Sequence, residues 1–200
     1  MKRLLLIVGL LFSGSALMAQ NTTYQWKTAT SGGYTYNYVT NDPSKTRFYT
    51  LKNGLTVILS PNYKEPKIEY RMSIRAGSNT DPKNATGLAH YLEHLLFKGT
   101  DKFGTVDWAK EKPLLDKIDA LYEKYNKTTD VAQRKEIYKE IDKVSGEASN
   151  FSIANEYDKM MQGIGGNSTN AHTWYEETVY NEDFPSNATD KFLAIQAERF

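Results

Sequence analysis

Two hundred residues, 40% apolar and 24% charged, suffice for one sizeable soluble domain with a real core. Lys plus Arg number 25 against 24 Asp plus Glu, a formal charge of +1, so there is no basic excess to attract nucleic acid and no like-charge tail. Cysteine is absent, which excludes disulfides, thiolate zinc ligands, cysteine nucleophiles and lipidation of an N-terminal cysteine; any metal must be held by His and carboxylates.

In chain order, residues 1–19 read as a secretory signal peptide. Lys2 and Arg3 give a basic start, Leu4 to Phe12 an apolar run, and small residues follow up to Ala19. The run is short for a transmembrane helix, a retained anchor being the alternative, and Leu17 is not the small residue preferred before a cleavage site. Removing the segment takes away two positive charges and no acids, so +1 becomes −1. An exported protein of the periplasm or cell envelope is the expectation.

Residues 20–46, rich in Thr, Asn, Ser, Gly and Tyr, read as a polar leader or an edge segment. "RFYTLK", Asn53-Gly54 and "LTVILS" then predict a hairpin with a tight primed turn. "KIEYRMSIRAG" alternates strictly, with Ile68, Tyr70, Met72, Ile74 and Ala76 on one face, as in a half-buried strand. After a loop, Thr86 is the expected N-cap of a helix that stops near Lys98-Gly99. Two charged amphipathic helices follow. The first is expected to start at Pro113 and to bury Leu114, Ile118, Leu121 and Tyr125; the second has Asp130 and Gln133 as a capping pair and buries Ile137, Ile141 and Val144. A third helical stretch around Ile153, Tyr157, Met160 and Met161 ends at Gly163. "NSTNAHTWYEETVYNEDFP" reads as one strand closed by Pro185, and residues 187–200 open a helix with no stop signal, as if the chain ceased within a domain. Together these elements predict an α+β fold, an antiparallel-rich sheet with helices packed on one side.

The chemistry is concentrated in "GLAHYLEHLLFKGT". On a helix, His90 and His94 lie one turn apart on the same face and can aim imidazole nitrogens at one metal ion, while Glu93 borders that face. Read backwards, this is the His-Glu-x-x-His pattern of many zinc peptidases. Neutral imidazoles suit Zn²⁺, an open position admits water, and a carboxylate that is not a ligand can act as general base. Two polar residues on the wet side of an ordinary helix are the plainer reading. Against it stand the near absence of other histidines, the position of Glu93 and the apolar flanks Leu88, Leu92, Leu95, Leu96 and Phe97. Nothing in the spacing of His172 requires it as a ligand.

The same stretch resembles the signature of the insulinase/pitrilysin family of inverted-motif zinc metallopeptidases, which includes mitochondrial processing peptidase. The resemblance runs back through "LKNGLTVILSPN" and "SIRAGSNTD" and forward to "TNAHTWYEETVYNEDFP", covering about residues 47–200. It implies that His90 and His94 are zinc ligands and Glu93 the general base. It also implies that Asn170 and Ala171 belong to an edge strand lining a substrate cleft, where backbone pairing aligns an extended peptide. Residues 47–200 would then be the N-terminal part of a catalytic peptidase domain, with the charged helical pair at about 107–146 as an insertion. The family's third zinc ligand is a glutamate well downstream of the Asn-Ala strand, expected here beyond residue 200. Glu176 and Glu177 match strand glutamates and are not assigned to the metal. The implied activity is zinc-dependent endopeptidase cleavage of peptides or unfolded segments, with a homologous second domain or subunit as partner. A non-catalytic homologous partner subunit or binding module is the alternative.

Overall fold

The computed structural model describes residues 23–200, so the signal-peptide reading of residues 1–19 lies outside the described residues. These residues form two compact units that divide between Glu65 and Pro66. Among them, no helix is long and apolar enough to cross a membrane.

The first unit is a four-stranded antiparallel sheet of β1 (Trp26–Ser31), β2 (Tyr34–Val39), β3 (Arg47–Thr50) and β4 (Thr56–Leu59), in that order. Part of the expected leader is thus strand, with β1 at the sheet edge. The β2–β3 ladder crosses the expected boundary at residue 46 by pairing Tyr36 with Tyr49 and Tyr38 with Arg47. Aromatic cross-strand contacts supply the reason: the Tyr36 and Tyr49 rings lie 5.2 Å apart, and the Trp26 and Phe48 rings 5.3 Å. The tight primed turn occurs at Gly32-Gly33, both with positive φ, and not at Asn53-Gly54 as expected. At the latter, Leu51 N–H donates to Leu55 O and only Gly54 is left-handed, which makes a three-residue loop with a glycine bulge. The Asn53 side chain accepts from Leu55 N–H and holds this wider form.

The second unit starts with β5 (Lys67–Ile74), whose residues alternate between half-buried and exposed as predicted. It continues through α1 (Leu88–Leu95), α2 (Trp108–Lys127), α3 (Val131–Ser149) and α4 (Glu156–Gly163), then β6 (Asn167–Thr173), β7 (Thr178–Pro185) and α5 (Thr189–Arg199). The sheet order is β5-β7-β6, antiparallel throughout. The predicted single strand over residues 167–185 is therefore a hairpin. Its turn carries no Gly, Pro or Asn signal because distant backbone holds it: Ser78 and Asn79 N–H donate to the carbonyls of Trp174 and Tyr175. Gly77 permits this approach, since a Cβ there would lie 2.3 Å from Trp174 O.

One sheet face carries Ile68, Tyr70, Phe184 and Tyr180 against Phe97, just past the end of α1, and Tyr157, Met161 and Phe192 from the helices. Phe184 and Phe192 stack with ring centroids 3.9 Å apart, and Tyr157 and Phe192 are fully buried. Each such aromatic contributes roughly 1.5–3 kcal/mol through the apolar surface it removes from water. The fold is α+β, with antiparallel sheets and helices to one side, as the patterning predicted.

The charged helical pair is a hairpin of α2 and α3. Its root is closed by Val106 N–H to Phe151 O and Ile153 N–H to Gly104 O, both 2.8 Å. Ile137, Ile141, Val144 and Ala148 are buried on α3, and the expected stripe of α2 is half-buried. Asp130 accepts from Gln133 N–H as a cap. Helix α2 does not start at Pro113, however. Asp107 caps it by accepting from Lys110 N–H, the helix begins at Trp108, and Pro113 lies inside it.

Candidate metal and catalytic site

Helix α1 is anchored at its start by a residue remote from the expected cap. Thr86 makes no cap. Instead Gly87 turns the chain with φ +87°, and the Asp81 carboxylate accepts from Gly87 N–H (2.6 Å) and Ala89 N–H (2.9 Å). Two free amides at a helix N-terminus are thereby satisfied by an acid, which also complements the positive end of the helix dipole. The regular helix ends at Leu95, and tighter turns carry the chain to Gly99: Phe97 N–H donates to His94 O and Lys98 N–H to Leu95 O.

On this helix His90 and His94 face solvent while Glu93 turns inward, only 7% exposed. The two Nε2 atoms approach to 3.1 Å. Zn–N bonds of about 2.0–2.1 Å in tetrahedral geometry would separate two imidazole nitrogens by about 3.4 Å, so this pair fits two positions of one zinc ion. Among the described residues no set of three or more His, Cys, Asp and Glu is placed to hold a metal. His172 pairs with Val179 on β6, and Glu176 and Glu177 lie in the β6–β7 turn.

Glu93 has a partner that the sequence did not single out. The Thr173 hydroxyl donates to Glu93 Oε2 at 2.6 Å, which ties the end of β6 to α1 across 80 residues. Thr173 stands two positions after Ala171, so the two share a face of the strand, and the period-two pattern was the available signal. Asn170 is exposed on the opposite face. Strand β6 is an edge of its sheet, with β7 on one side and no strand among the described residues on the other. A bulge between Asn167 and Asn170, with Ser168 at φ +57°, bends the strand just before the Asn-Ala pair.

Beneath α1 lies a buried polar group that sequence reasoning also missed. Tyr157 donates to Glu182 Oε1 (2.5 Å), Thr169 to Glu182 Oε2 (2.7 Å), and Arg199 Nη1 to Tyr157 Oη (2.5 Å). The carboxylate and guanidinium of Glu182 and Arg199 stand 3.7 Å apart, both almost wholly buried. Burial pushes the Glu182 carboxyl above the ordinary carboxylate range against the pull of Tyr157, Thr169 and Arg199; burial likewise holds Arg199 below its usual value. The Tyr180 phenol is pushed up by burial and next by the charge of Glu93. The signal for Glu182 was its phase, since it alternates with Tyr180 and Phe184 on the core-facing side of β7.

Residues 56–112 match the family model described as insulinase (peptidase family M16). The chain is 46% identical over 63 residues to an insulin-degrading enzyme homolog of Dictyostelium discoideum, covering 32% of this chain and 6% of that protein. It is 42% identical over 62 residues to the A-factor-processing enzyme of Saccharomyces cerevisiae, covering 31% of this chain and 6% of that protein. The chain thus spans a small fraction of the length of these relatives. The crystal structure of pitrilysin has a similar fold, with a TM-score of 0.50 and 19% identity over 89% of this chain and 13% of that one. Sequence similarity and fold point the same way: residues 56–112 are similar to the insulinase family, peptidase family M16, and the fold is similar to that of pitrilysin.

Proposed function

We propose that this chain carries the working half-site of an exported zinc-dependent endopeptidase. The observation that carries the reading is the 3.1 Å convergence of His90 and His94 Nε2 beside the inward carboxylate of Glu93. In it His90 and His94 hold the ion, and a third protein ligand is expected beyond residue 200. When bound, zinc supplies Lewis acidity that polarises a peptide carbonyl and brings the pKa of a water towards about 7. Glu93 takes the proton of the attacking water and delivers it to the leaving amine, so that no separate acid is needed. Thr173 holds one carboxylate oxygen and leaves the other free for that proton. Asn170 and Ala171 offer backbone groups along the edge of β6 to an extended peptide, a mode that selects unfolded segments over folded proteins. The exported location rests on the N-terminal sequence pattern alone.

Elemental analysis of the full-length protein tests the metal assignment. One zinc per site is expected, lost in a variant with His90→Ala and His94→Ala; zinc retained at full stoichiometry by that variant would place the metal elsewhere. Thr173→Val keeps the packing and deletes the donor to Glu93. Peptide hydrolysis is then expected to fall by about 10- to 100-fold with zinc content unchanged, the usual cost of losing an outer partner in a metal site. Thr173→Ser should restore most of it. Equal rates for valine and threonine would remove Thr173 from the site.

A further inference from the structure

The buried group around Arg199 reaches α1 at a telling position. Arg199 Nε donates to Leu96 O (2.9 Å), the carbonyl of the residue that caps the helix two positions after His94 and three after Glu93. Its guanidinium lies over the rings of Tyr157 (4.0 Å) and Phe97 (4.8 Å), the latter on the chain leaving the helix. Gln196 completes the enclosure, accepting from Arg199 Nη1 through Oε1 and donating through Nε2 to Tyr157 Oη, both at 3.0 Å. From Tyr157 the chain of bonds passes to Glu182 and on to Thr169 of β6, four residues before Thr173. Both supports of Glu93, its helix and the strand carrying its hydroxyl partner, therefore hang from one buried frame.

An apolar core of the same volume would fill this space at lower desolvation cost, but it would not fix the register of helix against strand. Directional bonds do, and a cation facing the carbonyl end of a helix adds favourable dipole interaction. We propose that Arg199 is a positioning residue: acting through Leu96 O and through Tyr157 and Glu182, it sets the C-terminal turn of α1, and with it the direction of Glu93 and His94, relative to strand β6. The consequence for the metal rests on the zinc reading above; the consequence for the helix does not.

Arg199→Lys in the full-length protein separates the two. Lysine keeps the charge, but its one nitrogen cannot reproduce the spread of the guanidinium across Leu96 O and Tyr157 Oη. Site-resolved hydrogen exchange should then show the amides of Leu96, Phe97 and Lys98 exchanging at least about 10-fold faster, with those of α2 and α3 unchanged. Zinc affinity, read by competition with a chelator, should fall by about 10-fold. Exchange unchanged at these three amides, or raised uniformly through β5, β7 and α5, would overturn the proposal and leave Arg199 a general core residue. Should Arg199→Lys not fold, Tyr157→Phe takes its place. That variant keeps the bond to Leu96 and cuts the link to Glu182, so a smaller acceleration in the same three amides is expected and a uniform one would count against the idea. If the unmodified protein holds no zinc, the metal reading fails, and the exchange measurement still decides the role of Arg199.

Discussion

Glu93→Gln is expected to lower peptide hydrolysis by roughly 10²–10⁴-fold while zinc stays bound, the range typical of a lost general base. The substitution preserves shape and leaves an oxygen to accept from Thr173, so helix α1 keeps its seat against β6. What disappears is a basic oxygen able to receive a proton. His90 and His94 are exposed while Glu93 borders their face and turns inward, so in the proposed arrangement the amide can replace the carboxylate without displacing either histidine. The measurement is kcat/KM on an unstructured fluorogenic peptide, alongside zinc content. Hydrolysis at the unmodified rate with zinc in place would end the assignment of Glu93. Loss of zinc with loss of rate would instead make it a ligand, contrary to the arrangement proposed.

Glu182→Leu should destabilise the protein by about 3–5 kcal/mol, the cost of leaving a buried charge without its partner. Glu182 is fully buried and Arg199 is 6% exposed, so water cannot replace the missing carboxylate. Tyr157 and Thr169 lose their acceptor at the same time. Urea denaturation reads the loss as a lower midpoint with an unchanged slope. Adding Arg199→Met to Glu182→Leu should recover much of it, because an apolar pair of similar volume avoids the desolvation of both ions. The double variant then divides stability from geometry: stability returns, but the hold on Leu96 O does not. A Glu182→Leu cost below about 1 kcal/mol would mean that the pair contributes little, as exposed pairs do.

Much of this molecule could be read from local patterns. Strict alternation placed β5, apolar stripes placed α2 and α3, and the i, i+4 spacing put His90 and His94 on one face, because backbone dihedrals impose periods of two and 3.6 on any chain. The Asn-Ala stretch was recognised as strand from its Thr- and aromatic-rich composition, though as one strand where the structure has two. Where local signals failed, a distant group had replaced them. Asp81 took the cap expected of Thr86, and Ser78 with Asn79 made a turn at Trp174–Glu177 out of residues with no turn preference.

The candidate site divides along the same line. From the sequence alone came the expected ligand pair and adjacent carboxylate, within five residues, and a family resemblance carried as much by the flanking strands over about residues 47–200. Only the tertiary structure decided which way Glu93 faces, that Thr173 holds it from 80 residues away, and that Arg199 reaches Leu96 from 103 residues away. No periodicity encodes such pairs. They exist because packing Tyr70, Tyr180 and Phe184 against Phe97, Tyr157 and Phe192 brings the buried polar groups into contact, and burial then favours bonds among them, although Arg199 Nη2 is left without a partner among the described residues.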